Sequence, residues 1–192
     1  MKRILLLLVF IVFTTKSFSQ DSKISLEINY PLPDHSFVRE SYHGIIDVGV
    51  DYTFTNLNFL TIGAAVNGVI LNKKIKENNG FEDFRITSYV IQPKIVTELD
   101  LESVPRFHPS VGIGYSLLIF DASNGYDGLD ASDTTKSGFN LNIGLAYNLS
   151  ERFFVQIQYD FILLKYTVED SDIKFNTTDN LNLLKIGFGY RL

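Results

Sequence analysis

The sequence predicts an all-β protein, an eight-stranded antiparallel up-and-down barrel that crosses a membrane with its strands. Three observations carry this. Apolar and non-apolar residues alternate with a period of two through eight segments. Short and long connections alternate between those segments. The non-apolar face is rich in Gly, Asn, Ser and Gln, while the apolar face carries almost no charge. A barrel in water would show long charged side chains outside. A barrel in lipid needs the apolar face outside and small or polar groups in a narrow interior.

In chain order, residues 1–19 read as a secretory signal peptide. Lys2 and Arg3 precede the apolar run Ile4–Phe13, and Ser17-Phe18-Ser19 sets small residues before Gln20. The run is too short for a membrane helix, which needs about 20 residues. Residues 20–192 form the barrel domain. The segments are Lys23–Tyr30, Ile45–Thr55, Asn58–Leu71, Arg85–Leu99, His108–Phe120, Gly138–Leu149, Phe153–Val168 and Leu181–Leu192. The first and third are the least regular. Asn140–Leu149 is the clearest, and it predicts Ile143 facing lipid and Asn142 facing the lumen.

Asn56-Leu57 and Ser150-Glu151-Arg152 read as tight turns, with Asp100–Phe107 somewhat longer. Pro31–Gly44, Asn72–Phe84, Asp121–Ser137 and Glu169–Asn180 read as long polar loops. An even strand count then sets both termini at the short-turn end. Pro93 falls inside a strand and suggests a bulge. Phe54, Phe59, Tyr147, Phe153 and Tyr190 near the short turns, and Tyr30, Tyr89 and Phe120 near the loops, fit interfacial belts of aromatic rings.

The same parity assigns Glu27, Asp47, Asp51, Lys94, Glu98, Asp160, Lys185 and Arg191 to the lumen. Charges there must pair or stay hydrated, so they are expected to plug a narrow barrel. The small interior glycines and asparagines include Gly49, Gly63, Gly112, Gly114, Asn140, Asn142, Gly144, Gly187 and Gly189.

Composition excludes several classes. There is no cysteine, so neither a disulfide framework nor a thiolate metal site can form. Lys2, Arg3 and Lys16 leave with the signal, and the rest of the chain holds 14 basic against 22 acidic side chains. That balance argues against nucleic acid as a partner. His35 and His43 share a loop without triad spacing. His108 and Ser110 stand two apart but at the short-turn end on the inward face, so His108 reads as a turn histidine. The acid-rich stretch Asp121–Asp133 lacks the spacing of an EF-hand and reads as a solvated loop. No catalytic residue, cofactor site or metal site is assigned.

The end of the chain reads Lys185-Ile186-Gly187-Phe188-Gly189-Tyr190-Arg191-Leu192. At Lys185, Gly187, Tyr190 and Leu192 it resembles the C-terminal assembly signal of bacterial outer-membrane barrels, although that motif commonly ends in Phe. With the signal peptide and the eight strands, residues 20–192 resemble the OmpA/OmpX-like, porin-like small barrels of the outer membrane. The Ser-Phe-Ser before Gln20 and the placement of Pro93 are similar to Bacteroidota members. The resemblance implies contact with outer-membrane lipid and lipopolysaccharide, insertion by the barrel-assembly machinery, and an extracellular ligand of unspecified identity. The family is functionally mixed, so the resemblance implies location more than activity. Four long polar loops above a narrow lumen point to a non-enzymatic surface barrel that contacts other molecules or stabilises the membrane. A narrow solute channel is the first alternative and a lipid-modifying enzyme the second.

Overall fold

The computed structural model describes residues 23–34, 42–75, 84–123, 135–170 and 173–192; within them, positions 74–75, 84–85, 121–123, 166–170 and 173–177 are described by backbone alone. The signal segment 1–19, His35 and most of the acid-rich stretch lie outside the described residues.

Eight strands form in chain order: β1 (Ile24–Pro33), β2 (Tyr42–Asn56), β3 (Leu60–Ile75), β4 (Phe84–Leu99), β5 (Phe107–Ser123), β6 (Thr135–Asn148), β7 (Phe153–Asp170) and β8 (Ile173–Arg191). Each pairs antiparallel with its sequence neighbours, and β8 pairs back onto β1 to close the barrel. Closure leaves no strand edge around the main body, which backbone groups in lipid require.

Alternation along each strand sends one set of side chains out and the other in. Leu26, Ile28, Val48, Val50, Val66, Ile91, Ile95, Ile113, Ile143, Ile157, Ile186 and Phe188 are all exposed. So broad an apolar belt would be untenable in water and is what lipid contact demands. Asn142 is buried in the lumen beside outward Ile143, as their parity predicts.

The short connections have local causes. Between β2 and β3 the turn is Leu57–Phe59, one residue longer than Asn56-Leu57 suggests, so β3 starts at Leu60. Asn58 holds a positive φ of 63°, a conformation asparagine tolerates better than most residues. Its N–H donates to Asn56 Oδ1 at 3.0 Å. Between β6 and β7, Ser150 Oγ accepts the Phe153 N–H at 3.0 Å.

Four expectations need correction. Glu169–Asn180 is not a long loop, because β7 runs to Asp170 and β8 begins at Ile173. Pro93 introduces no bulge. The β4–β5 register is the same on both sides of it, from Ile91 opposite Leu117 to Lys94 opposite Gly114. Opposite it the backbones approach closely at Gly114, where a Cβ would overlap the Pro93 carbonyl. The bulges lie in β2, between Gly44 and Ile46 and between Thr53 and Thr55. Each adds one residue, and the first shifts the inward set from Tyr42 and Gly44 to Asp47, Gly49 and Asp51. Phe120 is no belt residue, because it follows Leu118 on the inward face and packs on the interior cluster. The fourth correction concerns the interior itself, which is not small and polar throughout.

Candidate functional site: a three-layered lumen

Side chains inside the barrel fall into three layers along its axis. At the short-turn end lies a polar vestibule of about 940 Å³. Its walls include Glu27, Asp51, Lys94, Glu98, Asp100, His108, Gln158 and Arg191. Strand starts and ends supply these groups, because inward positions recur every two residues and the turns hold neighbouring strands in register.

Above the vestibule is a charged layer centred on Lys185 of β8, which is fully buried. Its ammonium lies 2.5 Å from Asp47 Oδ2 on β2 and 2.6 Å from Asp160 Oδ2 on β7. It also donates to Gln92 Oε1 on β4 at 2.7 Å. The second oxygen of each carboxylate is engaged as well. Asp47 Oδ1 accepts from Asn29 on β1 at 3.0 Å and from Asn67 on β3 at 2.9 Å. Asp160 Oδ1 accepts from Asn142 on β6 at 2.6 Å. On β5, Ser116 Oγ accepts from Asn140 at 3.1 Å. All eight strands contribute to this layer. Buried ions hold only when their remaining donors and acceptors are satisfied, and here amides do that work.

The third layer was not expected. Val69, Leu71, Val90, Leu118, Ile162, Leu164, Leu181 and Leu183 pack together inside the barrel toward the β7–β8 hairpin, with Tyr42 and Phe120 against them. Above it remains a pocket of about 100 Å³ lined by Tyr42, Ser88, Phe120, Asp179 and others. The signal for this plug was present in the sequence. Val69-Ile70-Leu71, Leu117-Leu118-Ile119 and Phe161-Ile162-Leu163-Leu164 lose the alternation and become apolar on both faces. A strand with lipid on one side and an apolar core on the other must read that way.

The predicted lumen charges therefore all face inward but divide into groups. Asp47, Asp160 and Lys185 form the central ion cluster. Glu27, Asp51 and Lys94 line the vestibule, and Glu27 Oε2 accepts from Gln158 at 3.3 Å. Glu98 and Arg191 meet at its mouth, 3.7 Å apart. Arg191 also donates to Asn148 Oδ1 at 2.6 Å and lies 4.7 Å from the Phe154 ring. That ring covers Gly189, where a Cβ would collide with it.

The assembly-signal positions occupy different surroundings. Lys185 sits in the charged layer. Gly187 admits the β1 backbone, since a Cβ would overlap the Ile28 carbonyl. Tyr190 pairs with the Phe153 ring at 4.9 Å and accepts from Arg152 at 3.0 Å. Leu192 donates its N–H to the Ile24 carbonyl at 3.0 Å. His43 is exposed.

A closed antiparallel barrel with an apolar belt outside and a charged, plugged interior defines an integral membrane β-barrel protein. The outer membrane protein beta-barrel domain family matches residues 5–191, and the chain belongs to that family. Its place is therefore the bacterial outer membrane. Among solved structures, it is similar to outer membrane protein W of E. coli at 15% identity, covering 91% of this chain and 100% of that one, with a TM-score of 0.53. Neisserial surface protein A matches at 15% identity over 88% of this chain and 94% of that chain, with a TM-score of 0.48. Ail, the attachment invasion locus protein of Yersinia pestis, matches at 16% identity over 88% and 96%, also with a TM-score of 0.48. A comparison with curated proteins finds no match.

Proposed function

We propose that this protein is a closed, non-enzymatic surface barrel whose exposed connections contact other molecules or stabilise the outer membrane. The observation that carries the reading is the apolar plug. Burying each of its eight larger side chains is worth about 1.5–3 kcal/mol. A continuous water column through that layer would forfeit on the order of 10 kcal/mol. The charged layer beneath it adds a second barrier, because a solute would have to part Lys185 from two carboxylates.

The partners that go with this role are outer-membrane phospholipid and lipopolysaccharide around the belt, the barrel-assembly machinery during insertion, and an extracellular ligand at the connections. The vestibule favours a second reading, a narrow channel for small solutes, although it ends blind against the charged layer. Planar-bilayer recordings on purified protein separate the two. The closed-barrel reading expects a flat baseline, and reproducible discrete conductance steps would replace it with transport.

A further inference from the structure

At the vestibule mouth three potential metal ligands converge. Glu98 and Asp100 stand two apart at the end of β4, on the inward face. The β4–β5 register, which sets Glu98 opposite Ser110, continues to bring His108 across from Asp100. His108 Nδ1 lies 2.9 Å from Asp100 Oδ1 and 3.2 Å from Glu98 Oε1. The ligand atoms of the three all fall within 4.8 Å of one another. A four-coordinate ion with bonds of about 2.0–2.2 Å holds its ligands roughly 3.3 Å apart, so small side-chain movements suffice.

We propose that Glu98, Asp100 and His108 form a binding site for a first-row divalent transition-metal ion of the zinc class, open to the vestibule. The donor set is one imidazole and two carboxylates, which suits such ions better than calcium or magnesium, whose ligands are oxygens alone. The fourth position faces the polar cavity and is filled by water. The surroundings supply the outer contacts that metal ligands need. Thr61 Oγ donates to Asp100 Oδ2 at 3.0 Å and orients that carboxylate. Asn148 lies 2.6 Å from His108 Nε2 and governs the imidazole.

Arg191 is the competing cation. It is tethered by Asn148 Oδ1 and reaches toward Glu98. With the Asn148 amide nitrogen donating to Nε2, the neutral imidazole carries its proton on Nδ1, between the two carboxylates. Metal on Nδ1 moves that proton to Nε2. The Asn148 amide must then turn its oxygen to Nε2, which releases Arg191 from Asn148. The site thus exchanges one cation for another, and the last strand senses the exchange through Arg191.

The test uses the full barrel folded in detergent micelles, stripped with a chelator and dialysed. Titration with Zn²⁺ followed by calorimetry should give one ion per barrel at micromolar affinity, with excess Ca²⁺ failing to displace it. D100N and H108Q should each weaken binding by about tenfold or more. E151Q, which removes another carboxylate of the same rim, should leave it unchanged. Heat-modifiable gel migration confirms that each variant is folded. Should either ligand variant fail to fold, ¹⁵N-histidine NMR of the unmodified chain decides: Zn²⁺ must shift the His108 ring resonances and leave those of His43 in place. No stoichiometric isotherm at millimolar Zn²⁺, equal affinity in all variants, or an unmoved His108 signal would each overturn the assignment.

Discussion

Lys185 shows what a single residue decides here. Its side chain is fully buried, and two carboxylates and an amide oxygen surround the ammonium. Removing one member of such a cluster leaves charges buried without a partner, which costs about 3–5 kcal/mol. Lys185→Met is therefore expected to lower unfolding stability by that amount in denaturant titrations of the micelle-bound barrel. Adding Asp47→Asn and Asp160→Asn to the same chain should restore most of the loss, because the orphaned charges go with them. A Lys185→Met barrel as stable as the parent would mean that water already solvates this layer. The sequence showed that these three charges share the inward face. It could not show that they touch, since Asp47 on β2 lies far along the chain from the paired strands β7 and β8 that carry Asp160 and Lys185, and only closure of the barrel brings it to them.

At the scale of elements, β8 carries the most consequence. It closes the barrel against β1, with Tyr190 opposite Leu26 and Arg191 opposite Ser25. Its last turn-end contacts include the Arg191 N–H to the Arg152 carbonyl at 2.8 Å and the Tyr190–Phe153 ring pair. Deleting Tyr190–Leu192, or replacing both Tyr190 and Leu192 with Asp, removes these contacts together with the residues that resemble the assembly signal. The expected outcome is loss of the protein from the outer-membrane fraction and proteolysis before insertion, followed by immunoblot of fractionated cells. Normal outer-membrane levels would detach the assembly role from these positions. β2 makes the opposite point. Its two bulges were invisible in the sequence, because an added residue such as Ile45 is as apolar as its neighbours. Pro93, the residue that did look irregular, sits in an unshifted register.

For the whole molecule, the layering of the lumen predicts which positions water reaches. The vestibule opens at the short-turn end and stops at the charged layer, with the apolar plug above it. The absence of native cysteine makes this measurable with single substitutions. Ser110→Cys, in the vestibule wall, is expected to react readily with a membrane-impermeant maleimide in the folded barrel. Leu183→Cys, in the plug, should react only after unfolding. Rapid labelling at position 183 in folded protein would show an open lumen and remove the ground for a closed barrel.

The sequence alone determined the strand count, the pairing of neighbours, the two faces and the inward position of every charge named. These follow from local periodicity and from turn chemistry, which each segment carries in itself. It also held the plug, in the apolar runs at Val69–Leu71 and Phe161–Leu164, though a pattern apolar on both faces does not say what lies on each side. Only the tertiary structure decided that an apolar cluster packs inside the barrel, that Lys185 is shared between Asp47 and Asp160, and that His108 meets Glu98 and Asp100. Those contacts depend on register and closure. Register is set by turns and bulges of single residues, and one residue of slip would turn every side chain of a strand to the other face.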